Sequence, residues 1–292
     1  MEKIKQAKLE DKIMTIVFYI VAGFFLILLL VFASYVIIKG FSGATSQMFT
    51  FTSKGVLNQL FNTIYLVLLS LLLSCPLGIG AGIYLAEYAK RGKLTETIQI
   101  CIETLSSLPS IVVGLFGYLA FILMTGMKWN LFAGALAVSI LCLPLITTTT
   151  FDAVRALPDY YRYGSMGLGA TKWQTTYHVL IPSCMPRIVT GIILAAGRGF
   201  GEAAALLYTS GMSTDINWSN WNITSPLCPL NPFRPGETLS LHIWASFTEA
   251  TAANAKDIAN LSSAILMILV LMFNITVRII SKRIDERAGG GK

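Results

Sequence analysis

Charge is what this chain has least of. Asp, Glu, Lys and Arg make up 13% of its 292 residues, where soluble globular domains carry about a quarter. Histidine is nearly absent, at two residues, and the five cysteines are scattered, with none in a C-x-x-C pair or at metal-ligand spacing from a histidine. An odd, dispersed set of this kind argues against both a disulfide framework and a zinc site. Cys75, Cys101, Cys142 and Cys184 read as small apolar helix residues, and Cys228 as a loop thiol without a partner. Patterns for a P-loop, a Ser/His/Asp triad and a His-Glu-x-x-His metalloprotease are missing, so ATP hydrolysis and hydrolytic chemistry have no home here.

What fills the space is apolar: 54% of residues are hydrophobic and the mean hydropathy is +0.67. That much apolar surface needs one very large core or a lipid environment, and 292 residues is near the limit for a single core. Lipid is the simpler solution. Six stretches approach the roughly 20 apolar residues that cross a bilayer, at about 14–38, 61–87, 102–125, 130–153, 185–211 and 258–280. The first is too long for a signal-peptide core and lacks a cleavage site.

The net charge of +7 is a matter of placement. With the N-terminus inside and six crossings, 16 of the 22 basic residues fall in inside segments and five (Lys39, Lys54, Lys128, Arg234, Lys256) outside. The positive-inside rule then puts both termini in the cytoplasm and explains the basic excess without nucleic acid. One basic residue, Arg198, belongs to neither set.

Two loops are long enough to carry function: an inside loop at 153–184 and an outside loop at 212–257. The inside loop opens with Leu157-Pro158-Asp159, a helix-start signal. A short helix through Tyr160, Tyr161 and Tyr163 is expected, then a glycine turn at Gly167-Leu168-Gly169. A second helix should place Trp173, Tyr177 and Leu180 on one face and stop at Pro182. Such a knob suits docking to a soluble partner, or alternatively lies on the membrane surface.

Arg198 sits in Ala195-Ala196-Gly197-Arg198-Gly199-Phe200-Gly201-Glu202, with Glu202 four residues on along the same helical face. An unpaired Arg at the bilayer centre costs at least about 2.5 to 3.5 kcal/mol, so it should face protein or water. Either the two residues form an anion checkpoint, in which Glu202 holds the guanidinium until an oxyanion displaces it, or they are a buried pair that fixes helix packing. The flanking glycines remove bulk. Their G-x-G spacing is no dinucleotide fingerprint, because no strand precedes it. His178 and His242 read as packing residues, and Glu87 and Glu103 as solvated charges at helix ends.

The inside loop also resembles the ATPase-docking motif of importer-type ABC permeases, written EAA, three residues, G, nine residues, I-x-L-P. The matching positions read Tyr163-Gly164-Ser165, Gly169 and Val179-Leu180-Ile181-Pro182. Gly169 and Pro182 are identical to the motif, and Tyr163 stands where it has Glu. The segments 82–89 (GIYLAEYA), 107–117 (SLPSIVVGLFG), 201–209 (GEAAALLYT) and 238–244 (TLSLHIW) resemble the phosphate-importer permeases, the PstA type more than its PstC paralogue. The resemblance covers about 61–280 and implies an all-α, six-span fold of the MetI-like class. Residues 1–60 would carry the N-terminal segment, first span and an outside loop, and 281–292 a cytoplasmic tail.

By the same resemblance the chain is a non-catalytic permease subunit in a bacterial cell membrane that conducts phosphate through Arg198 and Glu202. It would bind no cofactor itself, with ATP and Mg held by a partner ATPase dimer that docks on Tyr163, Gly164, Ser165, Gly169 and Pro182. A PstC-type paralogue would complete a heterodimer, an extracytoplasmic phosphate-binding protein would deliver the anion, and membrane lipid would surround the spans. A permease of this fold for another oxyanion and a secondary transporter remain as alternatives. An integral membrane enzyme would need clustered His, Asp or Cys at membrane depth, which is not found.

Overall fold

A computed structural model describes residues 2–52, 55–90, 92–248 and 255–288. Lys54, Arg91 and Lys292 of the charge assignment, and the tail at 289–292, lie outside the described residues. Among the described residues the regular structure is entirely helical. Helix α1 (Glu2–Ser42) packs on α11 (Ala255–Ala288) and otherwise presents apolar side chains outward along most of its length. Its closest approach is at Gly40, where a Cβ would lie 2.7 Å from the Asn260 carbonyl and overlap Ala264. Small residues allow such contact between spanning helices, which lack a hydrophobic drive to associate in lipid.

The centre of the bundle is α2 (Leu57–Ile83) against α5 (Leu131–Arg155). Leu66, Leu131, Val138, Cys142, Ile146 and Ala195 form the fully buried core there. Gly78 and Gly82 let the two helices close, since a Cβ would clash with Ile146 at the first and lie 2.6 Å from Thr150 Cβ at the second. Pro76 and Pro144 sit inside these helices, tolerated because neighbouring groups take up the freed backbone positions.

The third apolar stretch is not the straight span that 102–125 suggests. Helices α3 (Lys93–Ser107) and α4 (Ser110–Gly117) meet at Leu108-Pro109, and the pair extending to Leu123 is bent by 97°. Proline disfavours helical backbone in the residue before it, and Leu108 is extended, with ψ 134°. None of the residues of α3 is buried. Five helices are therefore long and apolar enough to cross a membrane, or six if the bent pair counts as one.

The fifth stretch, 185–211, is broken as well. Helix α8 (Ile181–Gly201) ends at Glu202, whose backbone is extended at ψ 123°, and α9 (Ala204–Thr209) begins beyond it. A long loop then leads to α10 (Leu239–Thr248). It is not free chain: Asn58 Nδ2 donates to Thr214 O, Tyr65 Oη to Leu230 O and Asn62 Nδ2 to Glu237 O, all at 2.8–2.9 Å. Side chains from the first turns of α2 thus pin the loop over that end of the bundle. The opposite end carries α6 (Tyr160–Gly167) and α7 (Lys172–Thr175).

Candidate functional site

Two regions concern function, one at an end of the bundle and one within it. At the end, α6 and α7 form the expected knob. The turn rests on Gly169, whose φ of +88° favours glycine, and a capping box starts α7: Thr171 Oγ1 accepts from Gln174 N and Gln174 Oε1 from Thr171 N. Ser165 Oγ lies 3.0 Å from Thr175 Oγ1, tying the two helices together. Tyr163 and Leu168 point outward, 72% and 92% exposed. A side chain at Gly164 or Gly169 would meet open space.

Two expectations fail here. Pro182 does not stop the second helix: α7 passes through a π turn at Thr176–Leu180 directly into α8, and one apolar helix runs over Lys172–Gly201. In that turn Ile181 N reaches back to Thr176 O, and the wider backbone accommodates a proline ring next in line. Because the π turn shifts the register, Leu180 is buried in the core while Trp173 and Tyr177 stack on each other outside it, with centroids 6.0 Å apart. Glu87, read as a solvated charge, is instead paired. Its Oε1 accepts from Arg162 Nη2 at 2.6 Å and Nε at 2.9 Å. Arg162 also donates to the carbonyls of Val154 and Leu157, each at 2.9 Å. One guanidinium therefore ties α6 to the ends of both α2 and α5. Glu103 is exposed, as expected.

Within the bundle, the structure separates Arg198 from Glu202. They form no ion pair, because the chain leaves the helix between them. The Glu202 carboxylate turns to the first turn of α9, where Oε1 accepts from Ala205 N at 3.0 Å. Its carbonyl accepts from Ser240 Oγ of α10 at 2.6 Å. Glu202 is 8% exposed and joins three helices.

Arg198 occupies the last turn of α8, where a cation complements the negative end of the helix dipole. Cys142 Sγ donates to Ala195 O at 3.4 Å, which sets this turn against the middle of α5. The Arg198 side chain is partly exposed and has no hydrogen bond or ion pair among the described residues. It shares an open face with Gly197 and Gly201, at both of which an added Cβ would touch nothing. Gly199 has a different role: its Cβ position lies 3.4 Å from Val67 and Val138, so it seats α8 on α2 and α5.

A buried polar network at the α2 start escaped the sequence reading. Arg234 is 1% exposed, donates through Nη2 to Asn62 Oδ1 at 2.6 Å, and reaches Pro229 O and Pro235 O. Burial pulls its guanidinium down to about 10. His242, expected to be a packing residue, has Nδ1 2.9 Å from Glu237 Oε2, which also accepts from Gln59 Nε2. Asn58, Gln59, Asn62 and Thr63 form a polar stripe on a spanning helix, a signal visible in the sequence. Cys228 is a free, buried thiol.

The comparisons agree with this architecture. The family described as "Binding-protein-dependent transport system inner membrane component" matches residues 78–290. A probable ABC transporter permease protein, YqgI of Bacillus subtilis (strain 168), is 45% identical over 93% of this chain and 95% of its own length. The phosphate transport system permease protein PstA of Yersinia pestis is 31% identical over 88% of this chain and 84% of its own. PstA of Xylella fastidiosa (strain 9a5c) is 35% identical over 66% and 68%. Among solved structures, one titled "Inward facing conformations of the MetNI methionine ABC transporter" superposes with a TM-score of 0.58 at 17% identity, covering 82% of this chain and 99% of that one. With an all-helical bundle of apolar spans and a family match over most of its length, this chain belongs to the membrane permease components of binding-protein-dependent ABC transporters.

Proposed function

We propose that the chain is a permease subunit of an ATP-driven phosphate importer and that Arg198 is the contact for the passing anion. The observation that carries this reading is the guanidinium itself: a cation in an apolar helix long enough to span, with no hydrogen bond or ion pair among the described residues, on a glycine-lined open face. Its planar fork of donors matches the oxygens of a phosphate, and a buried carboxylate that is already engaged leaves it free to bind an anion. Glu202 then acts as the brace that holds the break between α8 and α9, and its displacement is not needed for passage. The two PstA relatives support phosphate as the anion.

Energy comes from a separate ATPase dimer that holds ATP and Mg and docks on the α6–α7 knob. The exposed Tyr163 and Leu168, presented by the Gly169 turn, form its tip, with Gly164 and Ser165 behind them and Pro182 at the root. That face is cytoplasmic, as the basic residues of the inside segments favour, and both termini lie there. A binding protein meets the opposite end, and a PstC-type paralogue supplies the other half of the path.

The test is uptake of labelled phosphate into vesicles that hold the co-purified complex, with and without internal ATP. ATP-dependent uptake that excess phosphate competes and sulfate does not is expected. ATP-dependent uptake competed by sulfate instead would assign another oxyanion, and uptake that needs no ATPase would make the chain a secondary transporter.

A further inference from the structure

A groove remains on the bundle away from the knob tip, its last α8 lining residue, Leu194, one helical turn before Arg198. It lies between α8 and α11, near the start of one and the end of the other, and encloses about 380 Å³. Pro186, Thr190 and Leu194 line it from α8, one helical turn apart, and Asn274, Arg278 and Lys282 line it from α11 in the same rhythm. The walls are graded. Ile193 and Leu194 make one end apolar, whereas Arg278, Ser281 and Lys282 make the other cationic and hydroxylic.

We infer that this groove is a binding site for an anionic phospholipid, with the headgroup phosphate against Arg278 and Lys282 and the upper acyl chain along Ile193 and Leu194. Basic pockets between spanning helices bind anionic headgroups, because the cations meet phosphate at the level where the bilayer presents it. Arg278 is exposed and has no hydrogen bond or ion pair among the described residues, so its donors are available. Arg278 lies in the last turn of the final apolar stretch (258–280), and Lys282 and Arg283 follow it, which sets these cations at the membrane boundary. An inorganic phosphate would use the cations and leave the apolar wall exposed; a lipid covers both. The inference does not depend on which anion the permease carries.

The complex, purified in mild detergent and washed, is tested by native mass spectrometry for retained lipid after exposure to mixed vesicles of cardiolipin, phosphatidylglycerol and phosphatidylcholine. The native chain is expected to keep an anionic lipid in preference to phosphatidylcholine. The double variant Arg278→Gln, Lys282→Gln should lose about thirtyfold in retention, from about fivefold for each headgroup cation. Thr190→Phe, which fills the groove and leaves every charge in place, should lose it too. The paired control Arg187→Gln, Arg283→Gln removes two exposed charges outside the groove lining and should retain the lipid. Equal loss in the control, unchanged retention in Thr190→Phe, displacement of the lipid by millimolar inorganic phosphate, or no retained anionic lipid in the native complex would each overturn the site.

Discussion

Arg162 and Glu87 form an ion pair across 75 residues of sequence, with Nη2 2.6 Å from Oε1 and side chains only 16% and 7% exposed. Two further bonds from the same guanidinium end on the carbonyls of Val154, in the last turn of α5, and Leu157, just beyond it. The knob is thereby held by the charge network to the two helices at the centre of the bundle. A push on the knob has a stiff route to α2 and α5.

Removing one partner strands the other in a poorly solvated place. Glu87→Gln should destabilise the packing of the knob by about 3 kcal/mol and lower transport more than it lowers ATPase association. Exchanging the charges, Glu87→Arg with Arg162→Glu, should recover part of the loss. Uptake and ATPase co-purification measured on the same preparations decide the point.

Gly169 sits at φ +88° with nothing near its Cβ position. Gly169→Ala should therefore suffer from backbone strain alone, about 1 to 2 kcal/mol, and weaken ATPase co-purification. Gly169→Asn should be milder, because Asn tolerates that region.

Much of this was readable from the residues. The apolar stretches become helices, and the glycine turn of the knob stands where Gly167-Leu168-Gly169 puts it. The two broken stretches share one cause, which is that apolar runs report burial and say little about continuity. Leu108-Pro109 bends the third stretch by 97° without interrupting its hydropathy. Gly201-Glu202 ends α8, so two residues four apart in sequence do not share a helical face. The Glu87 partner could not be read from spacing, since it comes from folding α6 back onto α2.

Glu202 serves its neighbours through a carboxyl oxygen as an acceptor. Glu202→Gln keeps an oxygen there and should insert and fold like the native chain. Glu202→Ala loses the bond to Ala205 N and should cost about 1 kcal/mol, the usual value of a helix cap. Thermal unfolding of the purified complex separates the two.

Arg234 is charged in the folded and unfolded chain alike at neutral pH. Its folded value of about 10 lies below the ordinary guanidinium value, so the unfolded chain binds more protons only between the two, and there stability rises with pH. From pH 6 to 8 Arg234 adds no pH dependence. Arg234→Met leaves Asn62 Oδ1 and the Pro229 carbonyl without their donors and should destabilise the 212–238 loop by about 3 kcal/mol, seen as faster proteolysis there at either pH.

The anion contact at Arg198 is tested most directly by phosphate uptake in the Arg198→Gln variant, with membrane level and ATPase association measured in parallel. The substitution removes a cation that has no hydrogen bond or ion pair among the described residues, so insertion and assembly should be unchanged while uptake falls by about a hundredfold, the worth of two charge-assisted hydrogen bonds. Uptake at the native rate by a well-assembled Arg198→Gln complex would contradict it.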